Sequence, residues 1–214
     1  LIQPLHDMDQ SNERLIALVD EFLDVSRIEQ GRTKFSFVEK DVAVVVTSVV
    51  KELAERAKGK NLELVWNDAT RVPPASVDEE KIRHVIFNFI DNAIKYSDAG
   101  AIRVAAAEGD GGITVTVRDK GIGFEKVDEA NFFQKFYRGK NVEGVNVNGT
   151  GLGIYVCRQF IEAHGGQVWA KSAGLGQGSE FGFWIPYQPP PHTPPSEIAP
   201  VGMPEPRLVS EKQT

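Results

Sequence analysis

The apolar and polar positions of residues 81–97, KIRHVIFNFIDNAIKYS, separate onto two sides of a helix. At about 100° per residue, Ile82, Val85, Ile86, Phe89, Ile90 and Ala93 form a stripe suited to a core. His84, Asn88, Asp91, Asn92 and Lys95 share one narrow opposite side, and Asp78 is placed to cap the helix. Upstream, residues 8–30 carry two neighbouring apolar stripes, Leu15, Leu18, Phe22, Val25 and Ile16, Val19, Leu23. That width predicts a helix belonging to a multi-helix bundle, and Ser11 offers an alternative local start. No partner helix is visible, so the expectation is a chain truncated at its N-terminus or one that pairs with another copy. Gly31 ends this helix as a C′ residue.

The remaining pattern alternates strands with helices. Phe35 and Phe37 alternate with Lys34, Ser36 and Val38 as a short strand, and Asp41 caps a helix over 42–58. Residues 62–66 read as a strand, and Pro73 and Pro74 break the chain before Asp78. Strands at 102–107 and 113–119 flank a turn-prone stretch and predict a hairpin. Residues 120–150 read as a long irregular loop, of the kind that is functional or disordered. A helix over 152–163 stops at His164-Gly165-Gly166, and strands at 167–172 and 179–185 follow.

Composition narrows the class. The 214 residues are 41% hydrophobic, enough for a core in one or two domains. Lys plus Arg 24 against Asp plus Glu 30 gives a net charge of −6, which argues against a general nucleic-acid-binding surface. Any phosphate site must therefore be local. Cys157 is the lone cysteine and cannot form an internal disulfide, which points to a reducing compartment and a packing role. No apolar run approaches the roughly 20 residues that span a bilayer, and the N-terminus lacks the layout of a signal peptide. The chain as given reads as soluble, without membrane contact. Eight of the twelve prolines lie between 189 and 206, so the stretch from 188 onward is expected to be disordered or polyproline-like.

Candidate chemistry begins on the polar side of the central helix. Asparagine is a poor helix-interior residue because its amide competes for backbone hydrogen bonds, yet Asn88 and Asn92 sit four apart there. Two amide oxygens beside a carboxylate and an ammonium suit a hydrated magnesium ion bound to phosphate; a solvated helix face accounts for the same residues. Asp119-Lys-Gly-Ile-Gly123 follows a strand and places a carboxylate where it could accept a hydrogen bond from an exocyclic amine, although taken alone the motif reads better as a turn. Gly149-Thr-Gly-Leu-Gly153 opens a helix, whose unpaired N–H groups and dipole favour phosphate. It is neither a P-loop nor a dinucleotide fingerprint. The loop cluster Phe132, Phe133, Phe136, Tyr137 with Lys135, Arg138 and Lys140 offers cations to a polyphosphate, and its aromatics could equally pin the loop.

These motifs occur in a set order, and over residues 8–187 the chain resembles the catalytic region of sensor histidine kinases, within the gyrase, Hsp90, histidine kinase and MutL ATPase superfamily. The matches are residues 88–97 for the asparagine box, 119–123 and 149–153 for two glycine boxes, and 132–138 for the phenylalanine box; Gly176-Gln-Gly-Ser-Glu-Phe181 looks like the closing strand motif. The resemblance implies an α+β fold, a two-layer α/β sandwich of Bergerat type behind a long bundle-forming helix. It implies ATP under a lid at about 121–150, with Asp119 on the adenine amine and magnesium held by Asn92 helped by Asn88. Lys95, Tyr96 and Arg138 would face the phosphates, and Gly121, Gly123, Gly149, Thr150, Gly151, Leu152 and Gly153 would complete the nucleotide site. Asn88, Asp91, Asn92 and Lys95 would form the catalytic set, Asp91 orienting a reacting group, with His84 a helix-face residue.

Residues 1–32 look like the second helix of the family's dimerisation and phosphotransfer hairpin, 33–187 like its ATP-binding domain, and 188–214 form the Pro-rich tail. The box that normally carries the phosphoacceptor histidine is absent: His6 precedes Asp-Met-Asp, and His164 precedes Gly-Gly. The expectation is therefore an ATP-dependent histidine kinase core that phosphorylates a histidine outside this chain. Its expected partners are a phosphoacceptor hairpin, a second copy of the parent protein and a response regulator receiver domain, in the cytoplasm, with the parent free or anchored in the inner membrane. A clamp ATPase of the same superfamily and a non-catalytic nucleotide-sensing module are the alternatives.

Overall fold

The computed structural model describes residues 2–67, 69–139 and 150–189. Residues 140–149, which include Lys140 and Gly149 and belong to the lid expected at about 121–150, and the Pro-rich stretch from 190 onward lie outside the described residues. In chain order the elements are α1 (Ile2–Glu29), β1 (Val38–Lys40), α2 (Val42–Gly59), β2 (Leu62–Val65), β3 (Ala75–Val77) and α3 (Glu79–Tyr96). There follow β4 (Gly100–Gly109), β5 (Gly112–Arg118), a 3-10 turn (Lys126–Asp128), α4 (Gly153–Ala163), β6 (Gln167–Lys171) and β7 (Glu180–Pro186). No helix among the described residues is long and apolar enough to cross a membrane.

Five strands form a mixed sheet in the order β2-β4-β5-β7-β6, parallel between β2 and β4 and antiparallel elsewhere. Helices α2, α3 and α4 form the second layer, α3 in the middle. The apolar stripe of α3 is the centre of the core: Ile82, Val85, Ile86, Phe89 and Ile90 are buried with Ile113, Val115, Val117, Phe183 and Ile185 of the sheet. The result is the two-layer α+β sandwich that the resemblance implies. Cys157 is fully buried among these residues, and burial pushes its thiol well above the ordinary range, so it stays protonated.

The ends of α3 are fixed by other parts of the chain. Asp78 caps it through Oδ1, which accepts from Lys81 N–H at 3.1 Å, while Oδ2 accepts from Ser36 N–H at 2.8 Å. The Asp78 N–H donates to His164 Nε2 at 3.0 Å, so the buried imidazole carries its proton on Nδ1, which donates to the Phe160 carbonyl. At the other end, Lys60 Nζ donates to the carbonyls of Ile94, Lys95 and Ser97, three acceptors that the helix terminus leaves unpaired.

Two expectations about elements change. The strand predicted at 34–38 begins only at Val38. Ser36 gives its N–H to Asp78 instead of a ladder, and Phe35 and Phe37 pack their rings on His164 at 6.0 and 5.0 Å. The second is β3, which the pattern did not predict; its three residues follow two prolines and pair antiparallel with β1, Val38 opposite Val77. The first helix runs from Ile2, further upstream than position 8, and ends as predicted, with Gly31 at φ 62°.

Candidate functional site

The polar side of α3 forms one wall of a cleft. The N-terminus of α4, the loop after β5 and the segment around 132–139 close the rest. The cleft encloses about 940 Å³, part of it open to solvent, a size that suits a small organic ligand. It is lined by Asn88, Asn92, Lys95, Tyr96, Asp119, Gly123, Arg138, Thr150, Gly151 and Gly153, which the sequence scatters over sixty-odd positions.

At one end stands Asp119. The pairing of Arg118 with Glu180 between β5 and β7 brings Ser179 beside it. Asp119 Oδ1 accepts from the N–H groups of Gly121 at 2.7 Å and Ser179 at 3.2 Å, and Oδ2 accepts from the Ser179 hydroxyl. Burial raises this carboxyl above the ordinary aspartate range, and the donors from Ser179 and Gly121 pull it back. The loop beyond it packs tightly on α3: a side chain at Gly121 would begin 2.2 Å from the Tyr96 carbonyl oxygen. Gly121 therefore serves loop packing and does not line the cleft, whereas Gly123 does.

The floor and lid side are aromatic. Phe124, Phe132 and Phe181 pack edge to face at 4.5 to 6.0 Å, and Tyr137 meets the edge of Phe132 at 5.7 Å. The Tyr137 hydroxyl donates to Asp128, a carboxylate only 3% exposed. Burial, and then that carboxylate, raise the phenol pKa, so it remains a donor. Phe136 N–H donates to the Gly151 carbonyl at 3.1 Å and ties this segment to the second glycine motif. The phenylalanine cluster thus does pin the loop, except for Phe136, whose ring is exposed, and it also sets Arg138 on the cleft wall.

At the opposite end the asparagines meet the start of α4. Asn88 Nδ2 donates to His84 Nε2 at 3.0 Å and to the His84 carbonyl at 3.3 Å. Burial lowers the His84 pKa, with Asp24 opposing and Lys81 assisting, and the neutral ring can accept that bond. The Asn88 amide oxygen consequently faces Gly153, where a Cβ would meet it at 2.7 Å. The Asn92 side chain also lines the cleft. Thr150 Oγ1 accepts from Leu152 N–H at 3.1 Å and donates to Glu21 of α1.

Several predicted site residues make other contacts. Asp91 does not line the cleft; its buried carboxylate pairs with Arg56 Nη1 at 2.5 Å and with Lys95 Nζ at 2.6 Å. Its place on the helical wheel, at the edge of the polar side nearest α2, explains why it turns to Arg56. Lys95 lines the cleft but carries that carboxylate with it. Leu152 is 3% exposed in the core, and its N–H is taken by Thr150. Residues the sequence reading did not place in the site are Ser179, Tyr137, Asp128, the Phe124 and Phe181 rings, and Glu21. Ser179 and Phe181 left a signal inside the G-Q-G-S-E-F motif, and Tyr137 inside the phenylalanine box; Glu21 gave none, because α1 reads as a bundle helix.

Comparison with known proteins agrees with this geometry. The family described as histidine kinase-, DNA gyrase B-, and HSP90-like ATPase matches residues 77–189, which spans α3 to the end of β7. The adaptive-response sensory kinase SasA of Synechococcus sp. (strain JA-3-3Ab) is 33% identical over 179 residues, 83% of this chain and 47% of that protein. The sensor histidine kinase WalK of Bacillus subtilis (strain 168) is 31% identical over 180 residues, 82% of this chain and 29% of its own length. The chain thus spans about half or less of the length of these relatives. Among solved structures, full-length ShkA in complex with AMPPNP superposes with a TM-score of 0.74 at 28% identity, over 85% of this chain and 37% of that one.

Proposed function

The chain belongs to the histidine kinase-, DNA gyrase B-, and HSP90-like ATPase family, and from that premise we propose that it is the ATP-binding catalytic portion of a sensor histidine kinase. The observation that carries this reading is the convergence on one cleft of a buried carboxylate at one end and two asparagines, a helix N-terminus and Arg138 at the other. Asp119 suits the amine of adenine: the donors that oppose its burial favour the charged, accepting form, and the aromatic floor beside it offers a flat apolar surface. The α4 N-terminus, Thr150 and Arg138 suit the triphosphate, through unpaired N–H groups, a hydroxyl and a guanidinium.

Magnesium fits the same end. The Asn88 oxygen is turned toward the cleft by the bond its nitrogen makes to His84, and the Asn92 side chain, which lines the cleft, makes no hydrogen bond among the described residues, so both offer hard oxygen ligands. When bound there, the ion would neutralise phosphate charge. The protein's own part in phosphoryl transfer is positioning and electrostatics: the carboxylate fixes the base, the floor excludes water, and Arg138 meets the charge on the terminal phosphate.

The acceptor in this reading is a histidine on a separate phosphotransfer hairpin, and the phosphoryl group then passes to an aspartate of a response regulator. The parent protein acts as a homodimer in the cytoplasm, α1 is the second helix of the hairpin, and residues 33–187 form the catalytic domain. The test is titration calorimetry with magnesium-ATP beside the Asp119→Ala variant, followed by addition of a phosphoacceptor hairpin with labelled ATP. Binding lost in the variant and label on histidine are expected. Free phosphate alone would instead support a clamp ATPase of the same superfamily.

A further inference from the structure

The family resemblance gives α1 no part in holding nucleotide, yet one of its side chains lines the cleft. The face that α1 turns to the domain comprises Glu21, Val25 and Ile28, spaced four and three apart. Val25 is buried and Ile28 packs against the core, which seats the helix beside α4. Glu21 is thereby set at the phosphate end of the cleft. Its Oε2 accepts from the Thr150 hydroxyl, and its Oε1 lies 3.6 Å from the point where a Gly153 side chain would begin, over the first residue of α4. One turn onward Asp24 acts on His84, and at the end of the helix Glu29 pairs with Lys135, whose ammonium also sits 5.1 Å over the Tyr155 ring.

The groups that α1 engages are the groups an anion would use. A hydroxyl at a helix N-terminus and the positive end of an eleven-residue helix favour negative charge whatever carries it. A carboxylate held there accepts from that hydroxyl, faces that helix end and repels a triphosphate that approaches. We propose that Glu21 is an affinity-setting residue of the nucleotide site, its carboxylate standing in for a phosphate, so that triphosphate binding requires α1 to give up Thr150. Adenosine, which has no phosphate, does not compete with it. By linkage, a ligand that displaces Glu21 loosens α1 by the same free energy that Glu21 subtracts from binding.

This inference rests on the ATP-binding reading, and the experiment separates the two. Adenosine and a non-hydrolysable ATP analogue with magnesium would be titrated calorimetrically into the parent chain, Glu21→Gln and Asp20→Asn. Asp20 is exposed on the same helix and lines no part of the cleft, so its variant controls for net charge. The expected result is triphosphate affinity about three- to tenfold tighter in Glu21→Gln alone, roughly the effect of one half-exposed charge, with adenosine affinity unchanged. Amide exchange in α1 should also quicken when the analogue binds the parent chain and change less in Glu21→Gln. Equal triphosphate affinity in the parent and Glu21→Gln, or weaker binding in the variant, overturns the proposal while leaving the ATP site standing. Equal tightening in Asp20→Asn also overturns it, by reducing the effect to net charge. Absence of binding by adenosine and analogue in every chain overturns the ATP reading and this inference with it.

Discussion

Asp119 is held between two opposed effects, burial that favours its neutral form and three donors that favour its charge. Burial wins, so its folded-state pKa stands above the unfolded value. The native state therefore binds this proton more tightly than the unfolded chain does. The stabilisation it gives is complete below the unfolded pKa and is lost as pH rises through the raised folded one. Ligand binding runs the other way, because only the ionised carboxylate accepts freely from an amine. Adenosine affinity measured by calorimetry should fall as pH drops through that raised pKa. Removing the Ser179 hydroxyl removes the first-ranked of the donors that oppose burial, so Ser179→Ala should move the fall to higher pH; an unmoved profile would deny Ser179 that role. Asp91 invites the opposite test. Its carboxylate answers Arg56 and Lys95, both partly exposed, so Asp91→Asn should cost about 1–2 kcal/mol of stability after solvent screening. Adenosine affinity should stay within about twofold, which is within the scatter of such contacts, and a large loss would return Asp91 to the site.

Helix α3 shows which elements the sequence disclosed and which it could not. Its start and buried stripe followed from an aspartate cap and a 3.6-residue period, both local properties. The Phe35 and Phe37 alternation was equally local and misled, because Asp78 lies 42 residues away from the Ser36 N–H it captures. The three residues of β3 carry too short a pattern to register at all, and their partner strand is equally short. The C-terminal end of α3 was silent for the same reason: Lys60 reaches its carbonyls from the end of α2, 34 to 37 positions earlier. This ammonium satisfies otherwise unpaired carbonyls and opposes the negative end of the helix dipole. Lys60→Met keeps the aliphatic stem and removes the donors, so chemical denaturation should show a loss of about 1–2 kcal/mol. Because those carbonyls flank Tyr96 and the Gly121 loop, the variant should also weaken adenosine binding, whereas a change confined to stability would uncouple the cap from the site.

Across the whole molecule the cleft is a product of topology more than of any motif. The asparagine, aspartate and glycine motifs were legible because each is a short stretch with unusual residues. Their meeting was not, since it depends on α3 lying between α2 and α4 and on β7 pairing beside β5. The lid side depends on topology even more. Asp128 and Tyr137 are nine residues apart, and nothing in their types announces that a tyrosine hydroxyl will satisfy a buried carboxylate. That pair closes the segment carrying Phe132 and Phe136 into a loop whose far end presents Arg138 and Gly139 to the cleft. Tyr137→Phe retains the ring that meets Phe132 and withdraws only the hydroxyl. Asp128 would then be left with a buried negative charge short of a donor, a penalty of about 1–3 kcal/mol, which the segment can relieve by opening toward water. Opening moves Arg138 away from the phosphate end but leaves Asp119 and the aromatic floor in place. Calorimetry on Tyr137→Phe should therefore show triphosphate affinity weakened by about tenfold, the equivalent of 1.4 kcal/mol, with adenosine affinity little changed. Equal weakening of both ligands would place the hydroxyl's contribution in the floor and not in the lid.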